Sequence, residues 1–98
     1  MIDLEPGYLA VVRGLLARHL GDAQAFAFGS RVRGGARRYS DLDVVIRAQG
    51  PLDLDRMGEL RAAFSESELP IKVDLLDWAG MDDAFRAQIT ASLVPLHP

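Results

Sequence analysis

Apolar side chains recur at two different spacings along the chain, and these spacings separate predicted helices from predicted strands. Over about 4–20 they recur at every third or fourth position and Gly21 follows as a stop, which predicts an amphipathic helix. The same spacing predicts a helix at about 53–67, opened by Asp53. A last helix is predicted near the C-terminus and ends before Pro95, since proline cannot continue a helix.

Alternation between apolar and polar residues marks two predicted strands, at 41–46 and 71–76, because successive side chains of a strand point to opposite faces. A third, short strand is predicted at 26–28, where it leads the chain into Gly29. The predicted order is helix, strand, short helix, strand, helix, strand, helix. This order is typical of an α/β (α+β) protein with a small mixed β-sheet and helices packed against it.

Three aspartates lie at outward positions of the two predicted strands. Asp41 and Asp43 are two residues apart, so their side chains project to the same face with β-carbons about 7 Å apart. Asp74 faces this pair if the two strands are neighbours in the sheet. Magnesium prefers oxygen ligands, and two metal ions about 4 Å apart are bridged by carboxylates so placed. We therefore predict that Asp41, Asp43 and Asp74 are catalytic and metal-ligating.

A glycine followed by a hydroxyl residue, Gly29-Ser30, precedes these aspartates. Glycine lets phosphate oxygens approach the backbone, and a helix opening at Ser30 would direct N–H groups and a hydroxyl at them. Ser30 is equally suited to capping that helix, and the two roles are compatible. Four arginines lie between positions 31 and 38, where they would neutralise a triphosphate or the leaving pyrophosphate. We predict that Gly29, Ser30, Arg31 and Arg33 bind phosphate, and the arrangement indicates nucleotidyl transfer.

Two further acidic positions have a purely structural interpretation. Asp53 and Asp55 repeat the Asp-x-Asp spacing, but they stand at the start of a predicted helix, where aspartate caps free N–H groups and favours the helix dipole. Asp77 falls on the opposite face of its strand from Asp74, so we expect it to cap the following turn.

Composition narrows the class of protein. At 98 residues the chain is predicted to be a single domain, 1–98, too short to enclose a second substrate, which favours a macromolecular acceptor. The absence of cysteine excludes disulfides and zinc–thiolate sites. A net charge of −3 with one basic loop suits a phosphate site, and we expect no stable nucleic-acid complex. Without a long apolar stretch, we expect no membrane contact and a soluble cytoplasmic protein.

The glycine-serine pair, the Asp-x-Asp motif and the later lone aspartate resemble the signature of the DNA polymerase beta-like nucleotidyltransferase superfamily. The Gly-Ser-Arg-x-Arg-Gly form of the loop, the serine before Asp41 and the short chain are most similar to one branch, the minimal nucleotidyltransferases or MNT proteins. The resemblance covers nearly the whole chain and implies the polymerase beta-like fold.

This resemblance also implies the antitoxin of a two-gene module whose partner is an all-helical HEPN ribonuclease toxin. Members with an intact site transfer AMP from ATP to a tyrosine hydroxyl of the toxin and so neutralise it, and a hetero-oligomer is implied. By position, Asp41 and Asp43 would ligate two Mg²⁺ ions, and Asp74 would bind the catalytic ion and help to deprotonate the attacking hydroxyl. Gly29 and Ser30 would hold phosphate.

Two other functions are compatible with the same residues. One is a non-catalytic antitoxin that binds and occludes the toxin while its metal site is idle. The other is a nucleotidyltransferase acting on a small molecule or an RNA end, although small-molecule transferases of this superfamily usually carry an additional helical domain. The three functions differ in the acceptor of the nucleotidyl group: a toxin tyrosine, no acceptor at all, or a small molecule or RNA end.

Overall fold

The computed structural model describes all residues, 1–98, and contains four helices and four strands. In chain order these are α1 (Pro6–Leu20), β1 (Gln24–Phe28), α2 (Ser30–Arg33), β2 (Leu42–Arg47), α3 (Leu54–Ser65), β3 (Val73–Asp77), α4 (Asp83–Thr90) and β4 (Val94–His97). A 3-10 turn at Trp78–Gly80 joins β3 to α4. No helix combines the length and the apolar character that crossing a membrane requires.

The four strands form one mixed sheet in the order β3-β2-β1-β4, which confirms the predicted fold class. β1 runs antiparallel to β2 and β4, whereas β2 and β3 are parallel. The parallel register places Asp43 beside Asp74, and the antiparallel register places Phe28 beside Asp43. The end of β1 and the starts of β2 and β3 therefore meet at one end of the sheet.

The two faces of the sheet are covered to different extents. On one face α1 and α3 pack against the strands and bury the main core of 16 residues. On the other face α4 packs around a smaller cluster of Phe28, Val45 and Ile89. Because α4 is only eight residues long, it does not cover the whole face, and Asp43 and Asp74 remain partly exposed there. Unequal coverage thus leaves the acidic end of the sheet accessible.

The C-terminal segment differs from the prediction. The last helix ends at Thr90, and Val94–His97 forms a fourth strand that the predicted element order lacks. Pro95 lies within this strand and does not end a helix, so that prediction was wrong. β4 is an edge strand that pairs with β1 alone, opposite a β-bulge between Ala25 and Phe26. Proline is tolerated in such a position because an edge strand leaves half of its N–H groups unpaired.

The acidic residues assigned to capping behave as predicted. Asp53 is the N-cap of α3, and its carboxylate accepts a hydrogen bond from the Asp55 N–H at 2.9 Å. Asp77 accepts hydrogen bonds from the Ala79 N–H at 3.2 Å and the Leu52 N–H at 2.9 Å. It therefore caps the 3-10 turn and ties it to the segment before α3. Both aspartates have structural roles.

Candidate active site

Asp41, Asp43 and Asp74 come together at the open end of the sheet. Asp43 and Asp74 are partners on adjacent parallel strands, which lie about 4.8 Å apart. Asp41 lies immediately before β2, is exposed, and is close enough for its charge to act on Asp43. The strand period predicted Asp41 and Asp43 on one face, and the pairing of β2 with β3 brings Asp74 beside them.

The pKa of Asp43 is raised above its ordinary value. Burial is the largest cause, followed by the negative charges of Asp74 and then Asp41, while Arg33 acts in the opposite direction. A cation between these carboxylates would relieve both the lost hydration and the repulsion, so the donor set fits an oxygen-preferring ion such as Mg²⁺. No three His, Cys, Asp or Glu side chains are grouped closely enough to hold a metal ion as they stand. The structure therefore brings the three carboxylates to one end of the sheet without assembling them as a metal-ligand set.

The backbone of Gly29 passes close to the side chain of Asp43. Phe28, the last residue of β1, is the cross-strand partner of Asp43, so Gly29 turns the chain directly beside this carboxylate. The φ angle of Gly29 is +83° and its ψ angle is −157°, a combination that is essentially restricted to glycine. A β-carbon at position 29 would also overlap Asp43 Oδ2 and lie 3.1 Å from its Cγ. Two independent constraints therefore require glycine here.

The short helix α2 begins at Ser30, as predicted, but Gly29 occupies the N-cap position. Ser30 is the first helical residue and is half-buried, and no side chain donates or accepts a capping hydrogen bond at this end of the helix. Arg33, at the other end of α2, is exposed and borders a cavity together with Gly29, Asp43 and Asp74. Its positive charge acts on Asp43 across that space. Arg33 thus brings a positive charge to the cavity that the two carboxylates line.

Arg31 has a different environment from the one predicted. It is only 6% exposed, and its guanidinium donates hydrogen bonds to four backbone carbonyl oxygens. These belong to Asp3 at 2.7 Å, Ser40 at 3.0 Å, Arg38 at 3.0 Å and Arg37 at 3.3 Å. Most of its N–H groups are therefore used within the protein. The prediction that Arg31 binds phosphate is contradicted by these contacts, and Arg31 instead holds the loop before Asp41 against the N-terminal segment.

We expect Arg31→Lys to reduce the free energy of unfolding by about 1–3 kcal/mol, because several partly buried hydrogen bonds of the guanidinium to carbonyl oxygens would be lost. An ammonium group cannot reproduce the planar fork that reaches four carbonyls at once. Urea denaturation measures the loss. The matched control is Arg33→Lys on the same helix, an exposed position where the change should stay within about 0.5 kcal/mol. Equal losses in both variants would contradict the structural role of Arg31.

A cavity of about 300 Å³, which we call the first cavity, opens beside the acidic residues. Gly29, Arg33, Asp43 and Asp74 form its polar side. The other side is mostly apolar and is formed by residues of the sheet and of α4 and the segment after it: Phe28, Leu76, Phe85, Gln88, Ile89 and Ser92. Phe28 and Phe85 meet edge to face with ring centroids 6.0 Å apart. Sequence reasoning missed this wall. Only Leu76 had a usable signal, since it shares a strand face with Asp74.

Comparison with known proteins gives a family and a close relative. A family model described as Polymerase beta, Nucleotidyltransferase matches residues 15–97. The chain is 47% identical over 85 residues to the Probable protein adenylyltransferase MntA of Haemophilus influenzae. That match covers 87% of this chain and 75% of the relative.

The fold is also similar to solved structures. One is a crystal structure of a toxin-antitoxin with AMP-PNP, with a TM-score of 0.74 and 26% identity over 90% of this chain and 71% of that chain. Another is a crystal structure of a mutant of the toxin-antitoxin MntA-HpeT, with a TM-score of 0.73 and 24% identity over the same shares. These similarities confirm the polymerase beta-like arrangement of sheet and helices.

Proposed function

Because this chain belongs to the polymerase beta nucleotidyltransferase family, we propose that it is an antitoxin that transfers AMP from ATP, with Mg²⁺, to a tyrosine hydroxyl of a HEPN ribonuclease toxin. Nucleotidyl transfer is the chemistry of the family. The antitoxin role is supported by the relative named a protein adenylyltransferase and by the fold shared with a toxin-antitoxin structure. The HEPN toxin and its tyrosine are proposed from the resemblance of the glycine-serine loop to MNT proteins. Residues 1–98 would act as one domain in the cytoplasm.

The observation that carries this proposal is the pairing of Asp43 with Asp74 beside Gly29, in one cavity with Arg33. Asp41 and Asp43 would hold two Mg²⁺ ions, and Asp74 would share one of them. Gly29, Ser30 and Arg33 would face the phosphates of ATP. When bound, Mg²⁺ lowers the pKa of an acceptor hydroxyl and neutralises charge on leaving phosphates.

The residues of the chain supply the remaining requirements of the reaction. The acceptor oxygen attacks the α-phosphorus of ATP, the bond to the bridging oxygen breaks, and pyrophosphate leaves. Asp74 would take the proton of the attacking hydroxyl, and Arg33 would balance negative charge on the departing group. Phe85 and Ile89 line the apolar wall and would limit the access of water, which competes with the acceptor. Positioning and charge stabilisation then provide the rate.

We expect Asp41→Ala to lower transfer to the toxin by about 10²-fold, because it removes one of the carboxylates that would hold Mg²⁺ beside the reacting phosphates. The chain is incubated with Mg²⁺, ATP and the toxin, and intact-mass spectrometry of the toxin measures the adenylyl adduct. The matched control is Asp55→Ala, which alters the second Asp-x-Asp motif at an exposed position away from the first cavity. This control should retain full transfer.

Each other outcome identifies an alternative function. Neutralisation of the toxin by both the unaltered chain and Asp41→Ala, without an adduct in either case, would indicate occlusion. Label on RNA or on a small molecule, with none on the toxin, would indicate a different acceptor. An adduct that survives Asp41→Ala at the full rate would contradict the assigned role of this residue.

A further inference from the structure

A second cavity, of about 510 Å³, opens on the other side of Asp74, between α3 and β3. We call it the β3 groove, and its lining includes Arg61, Phe64, Leu69, Lys72 and Val73. Asp74 is the only residue that borders both the β3 groove and the first cavity. A transfer reaction requires two substrates to meet at one point, and Asp74, the residue proposed to receive the acceptor proton, lines both cavities.

One side of the β3 groove is an open sheet edge. β3 is the terminal strand of the sheet, so its outer edge pairs with no other strand. Such an edge offers backbone N–H and C=O groups to an extended segment of another protein. The Leu75 carbonyl oxygen faces this edge and accepts a hydrogen bond from Arg61 at 3.4 Å. Because this bond is long, a backbone N–H from a docked segment would replace it at little cost.

The rim of the β3 groove is basic although the chain as a whole carries a net charge of −3. Its basic lining residues, Arg61 and Lys72, the only lysine of the chain, are both exposed, and Asp74 is its one acidic lining residue. Phe64, Leu69 and Val73 add apolar surface to the same lining. Charge complementarity therefore selects an acidic segment with some apolar side chains.

We propose that the β3 groove binds an extended acidic segment of the acceptor protein along β3 and delivers the acceptor hydroxyl to Asp74. This inference rests on the proposed adenylyl transfer. The nucleotide occupies the first cavity, and the acceptor oxygen approaches its α-phosphorus from the β3 groove. The hydroxyl proton passes to Asp74 as the new phosphorus–oxygen bond forms, and pyrophosphate leaves on the side of Arg33.

The double variant Arg61→Glu/Lys72→Glu tests the β3 groove by reversing the charge of its rim. Transfer rates are measured against toxin concentration, and ATP affinity is measured by calorimetry on the same samples. We expect the KM for the acceptor to rise about tenfold, with kcat and ATP affinity unchanged. The matched control is Arg56→Glu, an exposed arginine of α3 outside the β3 groove, which should leave all three unchanged.

Hydrogen exchange at the amides of β3 gives a direct readout that does not depend on turnover. Adding toxin should slow exchange at this edge in the unaltered chain and not in the double variant. An unchanged acceptor KM, a loss of ATP affinity, or absence of protection at β3 would overturn the β3 groove as the acceptor site while leaving adenylyl transfer intact. Absence of any transfer by an unaltered chain that binds ATP would instead contradict the proposed function.

Discussion

Replacing Asp43 by asparagine should lower adenylyl transfer by about 10³-fold and, in the absence of metal, raise the melting temperature by a few degrees. Transfer falls because Asp43 is the central carboxylate, between Asp41 and Asp74 and beside Gly29. Stability rises because asparagine is nearly the same size and removes a partly buried charge that two neighbouring carboxylates repel. The two effects have opposite signs, so general damage to the fold would not reproduce them.

The pH dependence of stability follows from the raised pKa of Asp43. The Asp43 carboxyl group keeps its proton up to a higher pH in the folded chain than in the unfolded chain, so folding is favoured while this group is protonated. Stabilisation is complete below the ordinary value of 3.8 and is lost as the pH rises through the higher folded-state pKa. At neutral pH the ionised carboxylate therefore opposes folding. The difference in melting temperature between Asp43→Asn and the unaltered chain should shrink as the pH is lowered through this range.

The response of the melting temperature to Mg²⁺ is a further test of the role of Asp43. Binding to the folded chain alone raises its stability, by about 2.7 kcal/mol at a hundredfold excess over the dissociation constant. Calorimetry should show a Mg²⁺-dependent rise in melting temperature for the unaltered chain and a much smaller one for Asp43→Asn. Asp55→Asn makes the same chemical change at an exposed position and should respond fully. An equal response in all three chains would contradict a shared metal site.

The positions of the acidic residues were predictable because side chains two residues apart in a strand point to the same face of the sheet. Asp41 and Asp43 lie on one face whatever strand lies beside them, and Asp74 needed only one further assumption, that β2 and β3 are neighbours. The caps at Asp53 and Asp77 were predictable for a similar reason, since each accepts a hydrogen bond from the N–H two residues later; the bond from Leu52 to Asp77, across 25 residues, was not predictable in this way. Local geometry was sufficient for the two caps.

Arg31, α4 and β4 depend on contacts between distant parts of the chain. Nothing in the pattern of arginines distinguishes buried Arg31 from exposed Arg33, because the carbonyl of Asp3 that fixes Arg31 lies 28 residues away. β4 is a four-residue strand containing Pro95, too short for alternation to identify it, and it forms only because β1 offers an edge. The apolar wall of the first cavity comes largely from α4, so its location depends on how that helix packs.

Gly29→Ala should lower adenylyl transfer by about 10³-fold, nearly as much as loss of Asp43 itself, and should also destabilise the fold by about 1–3 kcal/mol. The backbone at position 29 is in a region essentially restricted to glycine, with φ at +83° and ψ at −157°. The added methyl group would overlap Asp43 Oδ2, so the carboxylate must move away from the proposed metal and phosphate positions. Transfer assays and urea denaturation measure the two losses separately.

Gly34→Ala separates the two causes of the Gly29→Ala effect. Gly34 has a similar backbone, with φ at +101° and ψ at 166°, but a β-carbon there would meet nothing within 4 Å. This variant therefore carries the backbone strain without the collision, and it should lose stability while keeping most of its transfer activity. In the double variant Gly29→Ala/Asp43→Ala the collision is gone, so the stability lost through alanine at position 29 should shrink to the loss seen for Gly34→Ala. If Gly29→Ala cost no more than Gly34→Ala in both assays, the close contact between Gly29 and Asp43 would not be what positions the carboxylate.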